Sequence, residues 1–187
     1  MRELGLEIFA AVWIFLPAAA ANVAPILLAK LPGLRCLGAP LDFGRKFRGR
    51  AIFGPHKTWR GLIGGIAAAT LTVWLQLLIA SGGGWLRGAL AGTGFNEANF
   101  WLVGPLFALG ALGGDAVESF IKRRAGKRPG QTWPFFDQVD YVLGALLLTW
   151  PCFHLHLWQY AVSLAFYTLL SFIFSLIGIK IRFKKSV

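Results

Sequence analysis

Residues 100–124 read FWLVGPLFALGALGGDAVESFIKRR. The stretch Phe100 to Phe120 is about as long as a helix must be to cross the hydrocarbon core, roughly 20 residues. It closes on the cations Lys122, Arg123 and Arg124. Two acids, Asp115 and Glu118, lie inside it. They are three positions apart, and Ser119 and Lys122 follow at four and seven from Asp115, so all four share one helical face. A carboxylate inside a membrane span is costly. It marks a polar cavity, a partner or a functional site. A salt bridge from either acid to Lys122 or Arg123 is the plainer alternative.

Working outward, four further stretches qualify as spans: 6–29, 61–80, 139–156 and 157–179. Only His154-Leu155-His156 separates the last two. The fold class expected is therefore an all-α integral membrane protein with about five transmembrane helices in one polytopic domain, 1–187. The composition agrees. The 187 residues are 56% hydrophobic and 14% charged, with 19 Lys+Arg against 8 Asp+Glu and a net charge of +11. A soluble nucleic-acid binder would account for the charge but not the apolar excess, and the same excess excludes a disordered basic chain. The first span is not a cleaved signal, because Glu3 and Glu7 stand where a positive n-region belongs and the apolar run is too long.

Basic residues set the orientation. Loop 30–60 holds Lys30, Arg35, Arg45, Lys46, Arg48, Arg50, Lys57 and Arg60. Loop 121–138 adds Lys122, Arg123, Arg124, Lys127 and Arg128, and the tail adds Lys180, Arg182, Lys184 and Lys185. Only Arg2 and Arg87 remain for the other side. Five spans then place the N-terminus outside and the C-terminus and both basic loops in the cytoplasm. Such charge also suits anionic lipid, and by itself it does not indicate an enzyme.

The acids carry more information. Asp115, Glu118, Asp137 and Asp140 are half of the chain's acids. Asp137 and Asp140 open the fourth span, where they also read as an N-cap and a first-turn charge. Four carboxylates from the inner ends of two neighbouring spans would repel unless cations neutralised them. Oxygen ligands of this kind suit Mg²⁺. Cys36 and Cys152 form no CxxC pair, and His56, His154 and His156 make no HExxH pattern, so zinc chemistry is not expected.

Loop 30–60 ends on Gly54-Pro55-His56-Lys57-Thr58-Trp59-Arg60-Gly61. Thr58 and Gly61 fall at a helix N-terminus, where backbone N–H groups and the dipole suit a phosphate, and Lys57 and Arg60 add charge. A lipid-headgroup anchor is an equal alternative. The spacing is not a Walker A loop, because Pro55-His56 separates the glycine from the lysine. In span one, Pro17, Asn22 and Pro25 mark either a simple kink or freed backbone groups lining a cavity. Gly61/Gly65 and Gly110/Gly114 have GxxxG spacing, which signals close helix packing and permits a homodimer.

These elements resemble the CDP-diglyceride synthetases, integral-membrane CTP-dependent cytidylyltransferases. The resemblance lies in Ser119-Phe120-Ile121-Lys122-Arg123 followed by Asp137-Gln138-Val139-Asp140, with Lys57-Thr58-Trp59-Arg60-Gly61 upstream. The small size, Pro40-Leu41-Asp42-Phe43-Gly44 and Asn22-Val23-Ala24-Pro25 resemble the archaeal branch, the CDP-archaeol synthases. The stretch between Lys122-Arg123 and Asp137 is short and lacks His-Gly-Gly, and Gln138 follows Asp137 where the bacterial pattern has arginine. Both departures argue against the bacterial phosphatidate cytidylyltransferases, which remain the alternative.

The resemblance implies an enzyme of the cell membrane that forms a CDP-lipid and pyrophosphate from CTP and an isoprenoid diether glycerol phosphate, 2,3-bis-O-geranylgeranyl-sn-glycerol 1-phosphate. It implies Mg²⁺ on Asp115, Glu118, Asp137 and Asp140, leaving open whether a second, monovalent cation joins it. Lys57, Thr58, Arg60, Ser119, Lys122, Arg123, Asn22 and Pro25 would bind CTP and its phosphates. Asp115, Asp140 and Lys57 would be catalytic, and no nucleic acid is expected as a partner. Two competing readings fit less well. A CDP-alcohol phosphotransferase needs an Ala-Arg pair between its acids that is missing here. A cation-coupled transporter leaves the Lys57-Thr58 element unexplained.

Overall fold

The computed structural model describes residues 2–128 and 131–185, with the side chains of Arg2, Pro32 and everything from 178 onward, basic tail included, outside the described residues. The chain runs α1 (Arg2–Ile14), α2 (Leu16–Leu28), a 3-10 turn (Pro32–Leu37), β1 (Lys46–Phe47), β2 (Arg50–Ala51), α3 (Trp59–Ser81), α4 (Trp85–Ala89), α5 (Phe100–Arg124), α6 (Phe136–Thr149), a second 3-10 turn (Trp150–Cys152) and α7 (Leu157–Lys185). Among the described residues, the architecture is helical apart from one two-stranded hairpin. Four segments among the described residues are long and apolar enough to cross a membrane: Glu3–Leu28, Trp59–Ser81, Phe100–Arg124 and Leu157–Ile177.

The stretch read as span 139–156 takes a different form. Helix α6 begins earlier and stops at Thr149, after 14 residues. At 1.5 Å per residue that is about 21 Å, short of a core of about 30 Å. Pro151 explains the stop, since it has no N–H to donate to the Leu147 carbonyl, and the chain passes into the 3-10 turn there. Non-helical backbone at such depth must be covered by protein. Phe153 is buried accordingly, and the His154 N–H donates to the Thr93 carbonyl at 2.9 Å.

Span one is interrupted too. Helices α1 and α2 meet at Phe15, and Pro17 stands in the first turn of α2. Pro17 has no N–H, so the Trp13 carbonyl four residues back loses its helical donor. Gln76 of α3, 2% exposed, supplies one instead: its Nε2 donates to the Trp13 carbonyl at 2.7 Å. From α7, the Tyr167 hydroxyl donates to the Val12 carbonyl at 2.7 Å and the Ser163 hydroxyl to the Ala11 carbonyl at 3.0 Å. Polar side chains buried among apolar ones thus pin three helices at the break. Around them Ile14, Phe15, Phe107, Val142 and Tyr167 build the core.

Small residues set how closely the helices approach. A Cβ on Gly114 would lie 2.2 Å from the Asp140 carbonyl oxygen, and one on Gly144 the same distance from that of Gly110. On the other side of the bundle, Gly65 faces Leu112 of α5 and the Ala21 carbonyl of α2. Both GxxxG spacings are therefore spent on contacts within the chain, and the sequence argument for a homodimer goes with them. The tight α5–α6 seam brings the acids of one helix beside those of the other.

Candidate functional site

The first basic loop owes its shape to Asp42, a buried residue. Its carboxylate accepts from the N–H of Gly44 at 2.9 Å, Phe53 at 2.9 Å and Gly54 at 3.2 Å. Burial alone would raise the Asp42 pKa, but these N–H groups outweigh it and hold the carboxyl below its ordinary value. The Leu41 N–H donates to the Lys57 carbonyl at 2.7 Å, closing the loop under Lys57. Helix α3 then starts at Thr58, whose hydroxyl accepts from the Gly61 N–H at 3.2 Å. The Thr58 side chain is therefore engaged as an N-cap while also lining a cavity.

Helix α5 presents Asp115, Glu118, Ser119 and Lys122 on one face, as their spacing requires, and all four line a polar cavity of about 240 Å³. Asp115, Glu118 and Asp140 each place one carboxylate oxygen within 4.8 Å of the others. Lys57 forms an ion pair with Asp115. Lys122 pairs with Glu118 at 2.9 Å and also with Asp137. The salt-bridge alternative is thus realised for Glu118, without removing it from the cluster.

The two acids of α6 divide. The residue before α6 is Phe135, at φ +74°, so Asp137 is not the N-cap. Asp137 instead accepts from the Trp133 N–H at 2.8 Å and holds Lys122, outside the three-carboxylate group. Asp140 accepts from the Tyr141 N–H at 2.6 Å and has no ion pair among the described residues.

The charges near the cavity do not cancel. Asp115, Glu118, Asp137 and Asp140 face Lys57, Lys122 and Arg123, and the surplus carboxylate is the unpaired Asp140. An all-oxygen cluster in a cavity whose charged lining leaves a carboxylate in surplus fits a hard divalent cation. Arg123 of α5 lines the same cavity, 6% exposed, with Nε and Nη1 buried and without hydrogen-bond partners among the described residues. Buried guanidinium donors in that state match the oxygens of an anion.

Two further spaces open from this centre. One, about 550 Å³, lies among α2, α3 and the first loop and is lined by Asn22, Pro25, Thr58, Lys57 and Asp115. The other, about 710 Å³, is an apolar groove along α5 and α6 between Val117, Ile121, Phe136, Leu143 and Leu147, with Glu118 and Asp140 also on its wall. Asn22 and Pro25 thus reach the site through the second cavity. Arg60, by contrast, lines none of these spaces, and its Nε is buried without a partner among the described residues. His56 and Phe53, which sequence reasoning missed, line the polar cavity. Sequence reasoning also missed the loop-organising role of Asp42, although Asp42-x-Gly44 is a local turn signal.

Comparison with known proteins gives this arrangement a context. A family model described as CarS-like, CDP-archaeol synthase, matches residues 4–187. The chain belongs to the CDP-archaeol synthase family. A CDP-archaeol synthase of Pyrococcus abyssi is 39% identical over 145 residues, 77% of this chain and 76% of that protein. One of Methanoregula boonei is 44% identical over 113 residues, 60% and 63% respectively. A solved structure described as an intramembrane enzyme for archaeal membrane lipid biosynthesis superposes with a TM-score of 0.72 at 31% identity, covering 90% of this chain and 94% of that one. The protein is accordingly a membrane-embedded CTP-dependent cytidylyltransferase of archaeal lipid biosynthesis. Membership of that family implies CTP and a lipid phosphate as substrates, and the transporter reading falls away.

Proposed function

We propose that the three spaces divide the substrates, with the carboxylate cluster at their meeting point. The polar cavity takes the triphosphate, and the 550 Å³ space beside Asn22 and Pro25 takes the remainder of CTP. The apolar groove takes the isoprenoid chains of an unsaturated diether glycerol phosphate, entering sideways from the bilayer. Its side-chain lining is apolar apart from Glu118, Asp140 and the indole of Trp133. The carrying observation is that Glu118 and Asp140 line both the groove and the polar cavity.

The lipid phosphate is already anionic, so its attack on the α-phosphorus of CTP needs no strong base. Its oxygen forms a bond to that phosphorus as the bond to the oxygen bridging the β-phosphorus breaks, and pyrophosphate leaves. Catalysis is then alignment and charge complementation. Arg123 and Lys122 would receive phosphate oxygens from the α5 side and Lys57 from the first loop. Asp115, Glu118 and Asp140 would hold Mg²⁺, which supplies Lewis-acid charge to phosphate oxygens when bound. Asp137 would keep Lys122 in place rather than ligate metal. The orientation follows the charge rule: both basic loops face the cytoplasm, where CTP is, and the enzyme resides in the cell membrane.

The test is product formation. Protein in ether-lipid nanodiscs, given labelled CTP, Mg²⁺ and an unsaturated diether glycerol phosphate, should form CDP-lipid and pyrophosphate in equal amounts. Equal or better turnover of a diacyl phosphate would overturn the isoprenoid assignment.

A further inference from the structure

The tip of the first loop is a hairpin, β1 with β2, turned by Arg48 at φ +50° and Gly49 at φ +76°. It is attached to the far end of α5 by two arginines acting in opposite directions. The Arg124 guanidinium donates to the carbonyls of Phe47, Arg50 (3.2 Å) and Ala51 (2.6 Å). Arg50 donates back to the carbonyls of Arg123 (3.2 Å) and Arg124 (2.6 Å). Those two are among the carbonyls that a helix C-terminus leaves without intrahelical donors. The Arg124 guanidinium also sits 5.4 Å from the Phe47 ring centre and 4.9 Å from that of Phe120, within cation–π range. All five acceptors are backbone, so the clamp is indifferent to side-chain protonation.

The clamp sits where both walls of the polar cavity originate. Arg123, adjacent to Arg124, lines one wall, and Phe53, His56 and Lys57, just downstream of the hairpin, line the other. Among the described residues, the only other side-chain hydrogen bond or ion pair from the first loop to α5 is Lys57 with Asp115. That contact lies inside the site, where substrate phosphates would compete for the lysine. The loop therefore needs an attachment that the substrate does not touch.

We infer that Arg124, with Arg50, is a positioning residue that fixes the first loop on α5 so that Lys57 and Arg123 face each other across the nucleotide cavity. Neither clamp arginine touches the reacting atoms. The inference rests on that cavity being the CTP site.

Steady-state kinetics in nanodiscs test it, with CTP and lipid phosphate varied separately and thermal midpoints measured alongside. Arg124→Ala should raise KM for CTP roughly tenfold or more, the worth of one charge-assisted hydrogen bond. KM for the lipid phosphate and the thermal midpoint should stay near wild type. Arg124→Lys should recover only part of the loss, because a single ammonium cannot reach three carbonyls as a planar fork does. Arg50→Ala should shift KM for CTP in the same direction and by less. An unchanged KM for CTP in folded Arg124→Ala would overturn the inference. So would a rise matched in the lipid KM and accompanied by a lowered midpoint, which is general loosening. If Arg124→Ala does not accumulate, Arg50→Ala decides by the same criteria. Lys57→Ala separates the underlying reading: if it leaves KM for CTP unmoved, the cavity assignment fails, whatever the clamp variants do.

Discussion

Gly114→Ala places one methyl group where the α5–α6 seam has no room. The new Cβ would stand 2.2 Å from the Asp140 carbonyl oxygen, 3.0 Å from its carbonyl carbon and 3.3 Å from the Gly144 Cα. A carbon–oxygen contact relaxes to about 3.3–3.6 Å, so the two helices must part by roughly 1 Å. The obstacle is backbone on both sides, which no rotamer change relieves. Overpacking of this kind costs about 1–3 kcal/mol. The larger effect falls on chemistry, because Gly114 precedes Asp115 and the atom it strikes belongs to Asp140. Parting the helices separates two of the three clustered carboxylates, and misplacement by about 1 Å can cost on the order of 100-fold in rate. Pyrophosphate release should therefore fall by about that factor while the protein still folds, with a thermal midpoint lower by only a few degrees. Gly144→Ala strikes the Gly110 carbonyl oxygen at the same distance and should act in the same direction. Gly5→Ala, whose Cβ meets nothing within 4 Å, is the control. Near-wild-type turnover in Gly114→Ala would refute the claim that this seam sets the metal geometry.

Two further outcomes follow from the packing and the loop. Gln76→Leu should lower stability by about 1–3 kcal/mol, the cost of stranding the buried Trp13 carbonyl, read as a drop in thermal midpoint with KM for both substrates retained. Asp42 titrates below its ordinary value when folded, so its contribution is complete above about pH 3.9, the unfolded value, and is lost as pH falls through the folded one. Midpoints of wild type and Asp42→Asn should differ at pH 7 and converge below about pH 4; a constant difference would show that the carboxylate charge does not organise the loop.

The bundle was legible because hydropathy alone separates apolar runs of about 20 residues from the basic loops. The helical face bearing Asp115, Glu118, Ser119 and Lys122 was legible from spacings of three, four and seven. Where α6 ends was also written locally, in Trp150-Pro151, but an apolar window hides it. Other features depend on distant contacts. Asp140 rather than Asp137 joins the cluster because Gly114 lets α5 approach the Asp140 backbone, a contact that no window around residue 140 contains. Pro17 announces a freed carbonyl, but not that Gln76, in another helix, would satisfy it. Arg50 and Arg124 are 74 positions apart and bond to backbone, so nothing in residue type pairs them. Thr58, expected to bind phosphate, also serves as a helix cap, since both roles favour a hydroxyl at a helix start.

The central claim is that Asp115, Glu118 and Asp140 form one divalent-cation site serving bound CTP. Manganese binding followed by electron paramagnetic resonance, with CTP present and no lipid acceptor, addresses it without relying on turnover. Wild-type protein should bind Mn²⁺ in a form displaced by Mg²⁺, and Asp115→Asn and Asp140→Asn should each lose that binding while keeping their thermal midpoints. Wild-type Mn²⁺ affinity in a folded Asp140→Asn protein would contradict the account.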